Sequence, residues 1–581
     1  MKTKHILLIL LPLLVGCGND SKRDTSLQQS TIQNLEDKNA SSAMISSSLS
    51  YIENLERDNN ISYNKIINTR GSYITSMCYT QTTDTSTNHV FNPRYSCHTK
   101  GKIPNYYNDT NLQKEYNFPA EVMKNPFTNL FKDRSNQVKV QTDESILAYL
   151  RASNYFSQEG NITLDLELPK EWKGYRPDCF FNFDEEGFDQ DNNANYTGWR
   201  AFRYYPFLGT FWPTNGSTDD VLIRLDTLFR EDENNTFDKE VYRVNLAIVE
   251  ALVKQKEIAF ESEVDEKFYS VDLNADGILS TALTVSPRVT SYVGLAKLYL
   301  KEEKVHLSQG LFPENTEFLH SVRYLDWDET KDQISVSARM KELRYAKKYT
   351  WKSYGEIQRA AESELWEALA LDSSEAQIAL FRGNYEEGLR NEIGWKYQGF
   401  IEDKTGSLRP QTHEETISCM GCHSHLGVTT DSTFAFARKF EGVHKGQNDY
   451  GWNHWGQKGL NSIKEPVVEY LNYGKQYEYS FYLQNNHSGN EFRNNDEVQS
   501  KFFDDNGSVK QAMIDALHED VTLLLFPSKT RAMELNKGYK VMVEEQSYIY
   551  GRDANVKAMQ NVYKEIKEGQ LTGIDNPIVR P

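Results

Sequence analysis

Clustered positive charge, cysteine and long hydrophobic runs are all scarce in this chain of 581 residues. Lys and Arg total 65 against 83 Asp and Glu, a formal net charge of −18, and no long basic run occurs. That balance excludes nucleic acid or an anionic bilayer surface as the main partner, and would suit a cationic one. Beyond the first 17 residues no apolar stretch approaches the length of a membrane span. Only 38% of residues are hydrophobic, so modest cores and an extensive surface are expected. No internal repeat of fixed period stands out, nor an alternation sustained enough for a large sheet.

The N-terminus sets the compartment. A basic "MKTKH" precedes "ILLILLPLLVG", an apolar segment too short to cross a bilayer. It ends in "LVGC", which resembles the bacterial lipobox and implies that Cys17 is lipidated and becomes the new N-terminus. The alternative, a cleaved secretory segment, would release a soluble protein. Gly18, Asn19 and Asp20 follow, with no acidic residue directly after the cysteine; by the sorting habit of enteric bacteria this favours the outer membrane. Residues 18–60 are polar and read as a flexible tether.

Helical spacing is expected within 221–255, 287–302 and 337–372, and in a helix capped at Ser528. The aromatic stretch 198–217 has neither period and reads as packing between irregular segments. "CMGCH", residues 419–423, has the C-x-x-C-H spacing of covalent haem attachment; around it the fold expected is mainly α with long irregular loops, with c-type haem domains embedded in a larger body. An N-terminal domain would span 61–300 and a C-terminal cytochrome c domain 301–581.

Haem enters through "CMGCH", residues 419–423, a C-x-x-C-H motif. Two thiols at this spacing add across the two haem vinyl groups, and the following histidine presents its imidazole to the iron. Cys419 and Cys422 would be the thioether residues and His423 the proximal ligand. C-x-x-C also suits a redox dithiol or half a zinc site, completed by His425 and His413. For the distal ligand His320 and His454 lead over His444, Met533 and Met542.

A second haem motif is broken. In "NPRYSCH", residues 92–98, Cys97 and His98 stand correctly but Arg94 replaces the first cysteine. Cys78 could supply the missing thioether, since lengthening the loop costs only about 2 kcal/mol. Alternatively Cys97 alone attaches haem while Cys78 pairs with Cys179. In a third reading Cys78 and Cys97 form a disulfide, worth about 3 kcal/mol. In either haem case His98 would be the second iron's ligand.

"DLNADGILS", residues 272–280, matches the start of a calcium loop: Asp272, Asn274, Asp276, the Ile278 carbonyl and Ser280 as ligands, and Gly277 at the turn. Leu283 stands where an EF-hand carries its bidentate Glu, so Asp265 or Glu266 would have to substitute. A plain Asx-rich turn is the alternative.

"CMGCH" resembles c-type cytochromes in general. Together with the lipobox, "RYSCH", "DLNADG", "FLHSVRYLD" and "LNKGYKVMVEEQSYIYGRD", the chain resembles large exported mono- or di-haem cytochromes of Gram-negative bacteria. The resemblance implies one-electron transfer through one or two covalently bound haems, with an unidentified redox partner protein. The alternative is a haem oxidoreductase acting on peroxide or a sulfur or nitrogen oxyanion, with Arg94, Arg176 or Arg200 holding an anion.

Overall fold

A computed structural model describes residues 74–83, 90–91, 122–209, 212–369, 381–423, 429–441, 450–461, 463–470, 473–486, 495–568, 570 and 572. All of them lie in one compact unit, Glu56–Pro581. Its centre is a nine-stranded sheet whose paired neighbours are all antiparallel. The chain is therefore not mainly α, contrary to the sequence expectation.

The strands are β1 (Phe188–Gln190), β2 (Tyr196–Phe202), β3 (Thr218–Arg224), β4 (Glu317–Asp328), β5 (Gln333–Lys348), β6 (Arg382–Asn384), β7 (Gly388–Arg390), β8 (Trp395–Glu402) and β9 (Leu408–Pro410). Their order is β6-β7-β8-β5-β4-β3-β2-β1, with β9 also paired to β8.

The sheet hid because its centre is charged. β5 carries Arg339, Lys341, Glu342, Arg344 and Lys348, and its Ala, Leu, Met, Lys, Arg and Glu are good helix formers. Read alone, residues 337–372 suggest helix. The structure instead makes β5 through Lys348 and turns to helix only over α2 (Tyr354–Leu369). Long-range pairing overrides local propensity here because β5 is laddered to β4 along its length and to β8 over Glu342–Lys348, and its charges find partners.

Successive side chains on a strand point to opposite faces. Val221, Ile223, Phe318, Ala346, Tyr397 and Ile401 enter one core. Leu222, Leu319, Leu343, Tyr345 and Phe400 enter the other. Against the first core packs α1 (Lys239–Lys254), capped by Asp238 and buried along most of its length. The aromatic stretch after β2 also packs there, through Phe202, Tyr204 and Trp212. A third, smaller core joins segments far apart in sequence: Ile74, Tyr79, Val122 and Leu130 against Met559, Val562, Tyr563 and Ile566. Backbone hydrogen bonds seam these segments, including Gln81 N–H to Asn561 O at 2.7 Å and Ile566 N–H to Met123 O at 2.8 Å.

Among the described residues no helix is long and apolar enough to cross a membrane.

Candidate functional site

The C-x-x-C-H segment follows a well-started helix. Thr412 caps α3 (His413–Ile417) in a reciprocal capping box with Glu415, and Arg409 pairs with Glu415 from β9 through two bonds of 2.8 and 2.9 Å. The next turn, α4 (Met420–His423), buries Met420 in the first core. His423 is thereby fixed on that face of the sheet.

The His423 ring is held from one side. Its Nδ1–H donates to Ser432 O at 2.8 Å, and a carbonyl can only accept, which fixes the tautomer. Tyr397 and Phe434 flank the ring at centroid distances of 4.8 and 5.3 Å. Burial among these rings pushes the His423 pKa down to about 4; the Ser432 acceptor opposes this, while the charges of His320 and Arg344 add to it. At neutral pH His423 is a neutral imidazole, the form that binds metal. Among the described residues its Nε2 makes no hydrogen bond.

His320 approaches from β4. Its Nδ1 lies 3.2 Å from Asp219 Oδ1, a carboxylate to which Tyr204 also hydrogen-bonds. Its Nε2 likewise has no hydrogen-bond partner among the described residues, and the ring is near enough for its charge to act on His423. His320, cross-strand from Val221 on β3, and His423, packed on Tyr397, both lie on the face of the sheet that bears the first core.

His454 goes elsewhere. Asp219 and Asp220, adjacent on β3, point to opposite faces of the sheet. Asp219 takes His320, whereas Asp220 accepts from His454 Nε2 at 2.6 Å on the other face. His454 Nδ1 accepts Gly456 N–H at 3.1 Å as a helix cap. Both ring nitrogens are committed, so the structure does not join His454 to Cys419–His423. Met533 and Met542 are buried core residues of α5 (Lys529–Glu545).

Beside His320 the sheet carries a cluster of charged side chains. In register, His320 pairs with Arg344, which pairs with Gly399. Glu342, one row along, accepts from Arg344 at 3.0 and 3.1 Å, Arg552 at 2.8 Å and Gln411 at 3.1 Å. Burial would raise the Glu342 pKa, but the two guanidinium groups prevail and bring it to about 2. Arg344 sits mid-sheet between rows of buried residues, yet 41% of its side chain is accessible. Burial raises the Cys419 thiol pKa, and Arg552 and Arg344 oppose it. Sequence reading missed Arg344, Glu342, Arg552 and Ser432; only the sheet register and the turn at 430–433 bring them in.

The remaining candidates lie apart. Cys78 flanks the third core, its Sγ 3.4 Å from Thr75 Oγ1. Cys179 is a buried free thiol of the second core and is not joined to Cys78. Cys97, His98, Arg94, His425, His444 and Cys17 lie outside the described residues. Arg176 bonds to Asp165, and Arg200 is paired bidentately with Glu261 at 2.8 Å. Of the calcium loop, Asp272 accepts Asp276 N–H and Gly277 N–H, Asn274 accepts Asp276 N–H, and Asp276 accepts Ile278 N–H. Buried Glu266 closes the loop by accepting the N–H groups of Leu273, Asn274 and Ser280. Asp265 caps a short helix instead. Among the described residues no group of three or more His, Cys, Asp or Glu is arranged to hold a metal ion by itself. A separate cavity of about 170 Å³ is lined by Arg243, Glu250, Glu261, Lys439 and Trp452, none of them near the thiols.

Residues 68–519 match a family model described as "-like lipoprotein". The chain belongs to this lipoprotein family. It is 29% identical over 539 residues to an "Uncharacterized lipoprotein" of Aquifex aeolicus (strain VF5), covering 84% of this chain and 86% of that protein. No solved structure matches. The protein is accordingly a lipid-anchored protein of the cell envelope.

Proposed function

We propose that this lipoprotein is an electron-transfer protein carrying a c-type haem attached through Cys419 and Cys422, with His423 and His320 as its two axial ligands. The observation that carries the reading is that both histidines are held by Nδ1 alone. Each is oriented through Nδ1, by Ser432 and Asp219 respectively, and each leaves Nε2 uncommitted among the described residues. Nδ1 acceptors fix the tautomer of a ligating histidine and raise its basicity. The residues present fit the group: two thiols at the attachment spacing, a neutral imidazole, and the Arg344 and Arg552 cations, whose charges act on Cys419, for its acidic edge. When bound, the haem supplies one-electron Fe(III)/Fe(II) cycling. The chain's own residues orient the imidazoles, keep His423 neutral and set positive charge beside the thiols.

Anchorage at the outer membrane and electron exchange with a second envelope protein complete the reading. Haem per chain tests it, by pyridine haemochrome absorbance and by mass of the denatured polypeptide. One covalent haem, lost in Cys419→Ala/Cys422→Ala, is expected; none would refute the proposal. Two would bring Cys97 and His98 into use.

A haem oxidoreductase is the second reading, favoured by one observation: Arg344 stands directly beside His320 in register, with 41% of its side chain accessible. There His320 and Arg344 would face substrate instead. Low-spin six-coordinate iron that turns high-spin in His320→Ala supports the carrier; high-spin iron in the unaltered protein supports the enzyme. For Asp272–Ser280 we propose a structural calcium ion, supported by side-chain oxygens of Asp272, Asn274 and Asp276 gathered around Gly277, whose φ is +87°. A melting temperature unchanged between millimolar calcium and chelator would refute it.

A further inference from the structure

We propose that Lys348 and Asp431 are positioning residues for His423, holding the turn whose carbonyl fixes the ring and sets the donor strength of its Nε2. The positioning rests on geometry alone; its redox consequence rests on the haem reading above.

The turn is a two-residue hairpin loop. Thr430 and Thr433 exchange backbone hydrogen bonds of 2.9 and 3.0 Å. Between them Asp431 and Ser432 both adopt positive φ, 48° and 60°. Loops of this type favour Asn-Gly, because an L residue with a longer or branched side chain resists that backbone region. Here the conformation is imposed from outside. The Asp431 carboxylate is fully buried and accepts from Lys348 Nζ, from Phe312 N–H at 2.8 Å and from Trp395 Nε1–H at 3.3 Å. Lys348 is the last residue of β5 and Trp395 the first of β8, so the sheet itself grips the turn. Asn391 adds a second grip: its Nδ2 donates to Ser432 Oγ at 2.9 Å and to His423 O at 2.7 Å.

The gripped turn aims one atom. Ser432 O receives His423 Nδ1–H at 2.8 Å and the Tyr397 hydroxyl at 3.0 Å. An acceptor on Nδ1–H pushes electron density towards Nε2. Tyr397 competes for that same carbonyl and moderates the push. A buried ion pair is seldom the most stable filling for its volume, since apolar residues of similar size often match or exceed it. Geometric control of His423 is a function that apolar filling could not supply.

Two variants of the full mature chain move the bond in opposite directions. Tyr397→Phe removes the competitor and strengthens it. The double variant Lys348→Met/Asp431→Asn removes both charges together, keeps an acceptor for Phe312 N–H, and releases the turn from the end of β5. In chain produced without haem attachment, histidine ¹⁵N shifts should show the Nδ1–H tautomer of His423 fixed in the parent and in Tyr397→Phe. In the double variant the two tautomers should average. In haem-loaded protein the midpoint potential should fall in Tyr397→Phe and rise in the double variant. A merely structural pair would lower the melting temperature without moving the tautomer or producing shifts of opposite sign. An unchanged tautomer in the double variant, or haem-loaded variants with unmoved potentials, overturns the inference. A chain that takes up no haem but shows the tautomer change refutes the haem reading and leaves the positioning role standing.

Discussion

His423 illustrates how much a single residue owes to atoms remote in sequence. Its ring orientation depends on Ser432, and Ser432 depends on a lysine at the end of β5. Lys348→Met alone would leave Asp431 as a buried unpaired charge, and we expect a loss of about 3–5 kcal/mol by chemical denaturation. Adding Asp431→Asn should restore most of that loss. Glu465 offers a pH-dependent counterpart far from the thiols. Burial, with help from the Glu478 charge, pushes its pKa from 4.5 up to about 7, although Ser480 donates to it from N–H and Oγ and His518 Nε2 lies 3.8 Å away. The folded state therefore holds a proton that the unfolded state has released. Its contribution is fully present below pH 4.5 and is lost as pH rises towards 7. At 1.4 kcal/mol per pH unit the loss is about 3 kcal/mol. Glu465→Gln should flatten this part of the stability profile, measured by denaturation at steps between pH 4.5 and 8. Of the candidate site's residues, Cys419, Cys422 and His423 were singled out in sequence because thiol spacing is a local signal. His320 was legible only as one candidate beside His454, since the opposite faces of Asp219 and Asp220 appear only once β3 is a strand.

Of the helices expected over 221–255 and 287–302, only Lys239–Lys254 and Leu295–Lys301 form α-helix, and residues 221–224 belong to β3 instead. The helix capped at Ser528 forms as α5, because its cap and apolar spacing lie within one segment. For α1 the cap is Asp238, whose carboxylate accepts the N–H groups of Glu240 and Val241. Asp238→Ala should cost about 1 kcal/mol, read as a lowered denaturation midpoint at unchanged slope. β5 was missed because its outward alternation is not polar against apolar but charged against apolar with both halves buried. Glu342, Arg339 and Lys348 all have buried ion-pair partners that sequence does not reveal. A recurring turn was also missed. Bridges join Phe156 to Ile162, Phe183 to Asp189, Glu231 to Phe237 and Phe503 to Val509, always six residues apart. In two of them an aspartate accepts two backbone N–H groups within the turn: Asp184 from Glu186 and Phe188, and Asp232 from Asn234 and Thr236. These turns escape a search for periodic repeats because the intervals between them are unequal.

For the whole molecule, lipid anchorage makes a simple prediction. Cys17→Ala should abolish lipid labelling of the chain and lower the share recovered with the membrane fraction; unchanged labelling would place the anchor elsewhere. A seam joins residues 74–134 to residues 553–566. The first residues that the structure describes belong to that seam. There Asn125 Nδ2 donates to Tyr563 O and Ile566 N–H to Met123 O. The earliest and latest described segments of the body are thus clasped to each other, so releasing either one uncovers the same small apolar core, Tyr79 and Leu130 with it.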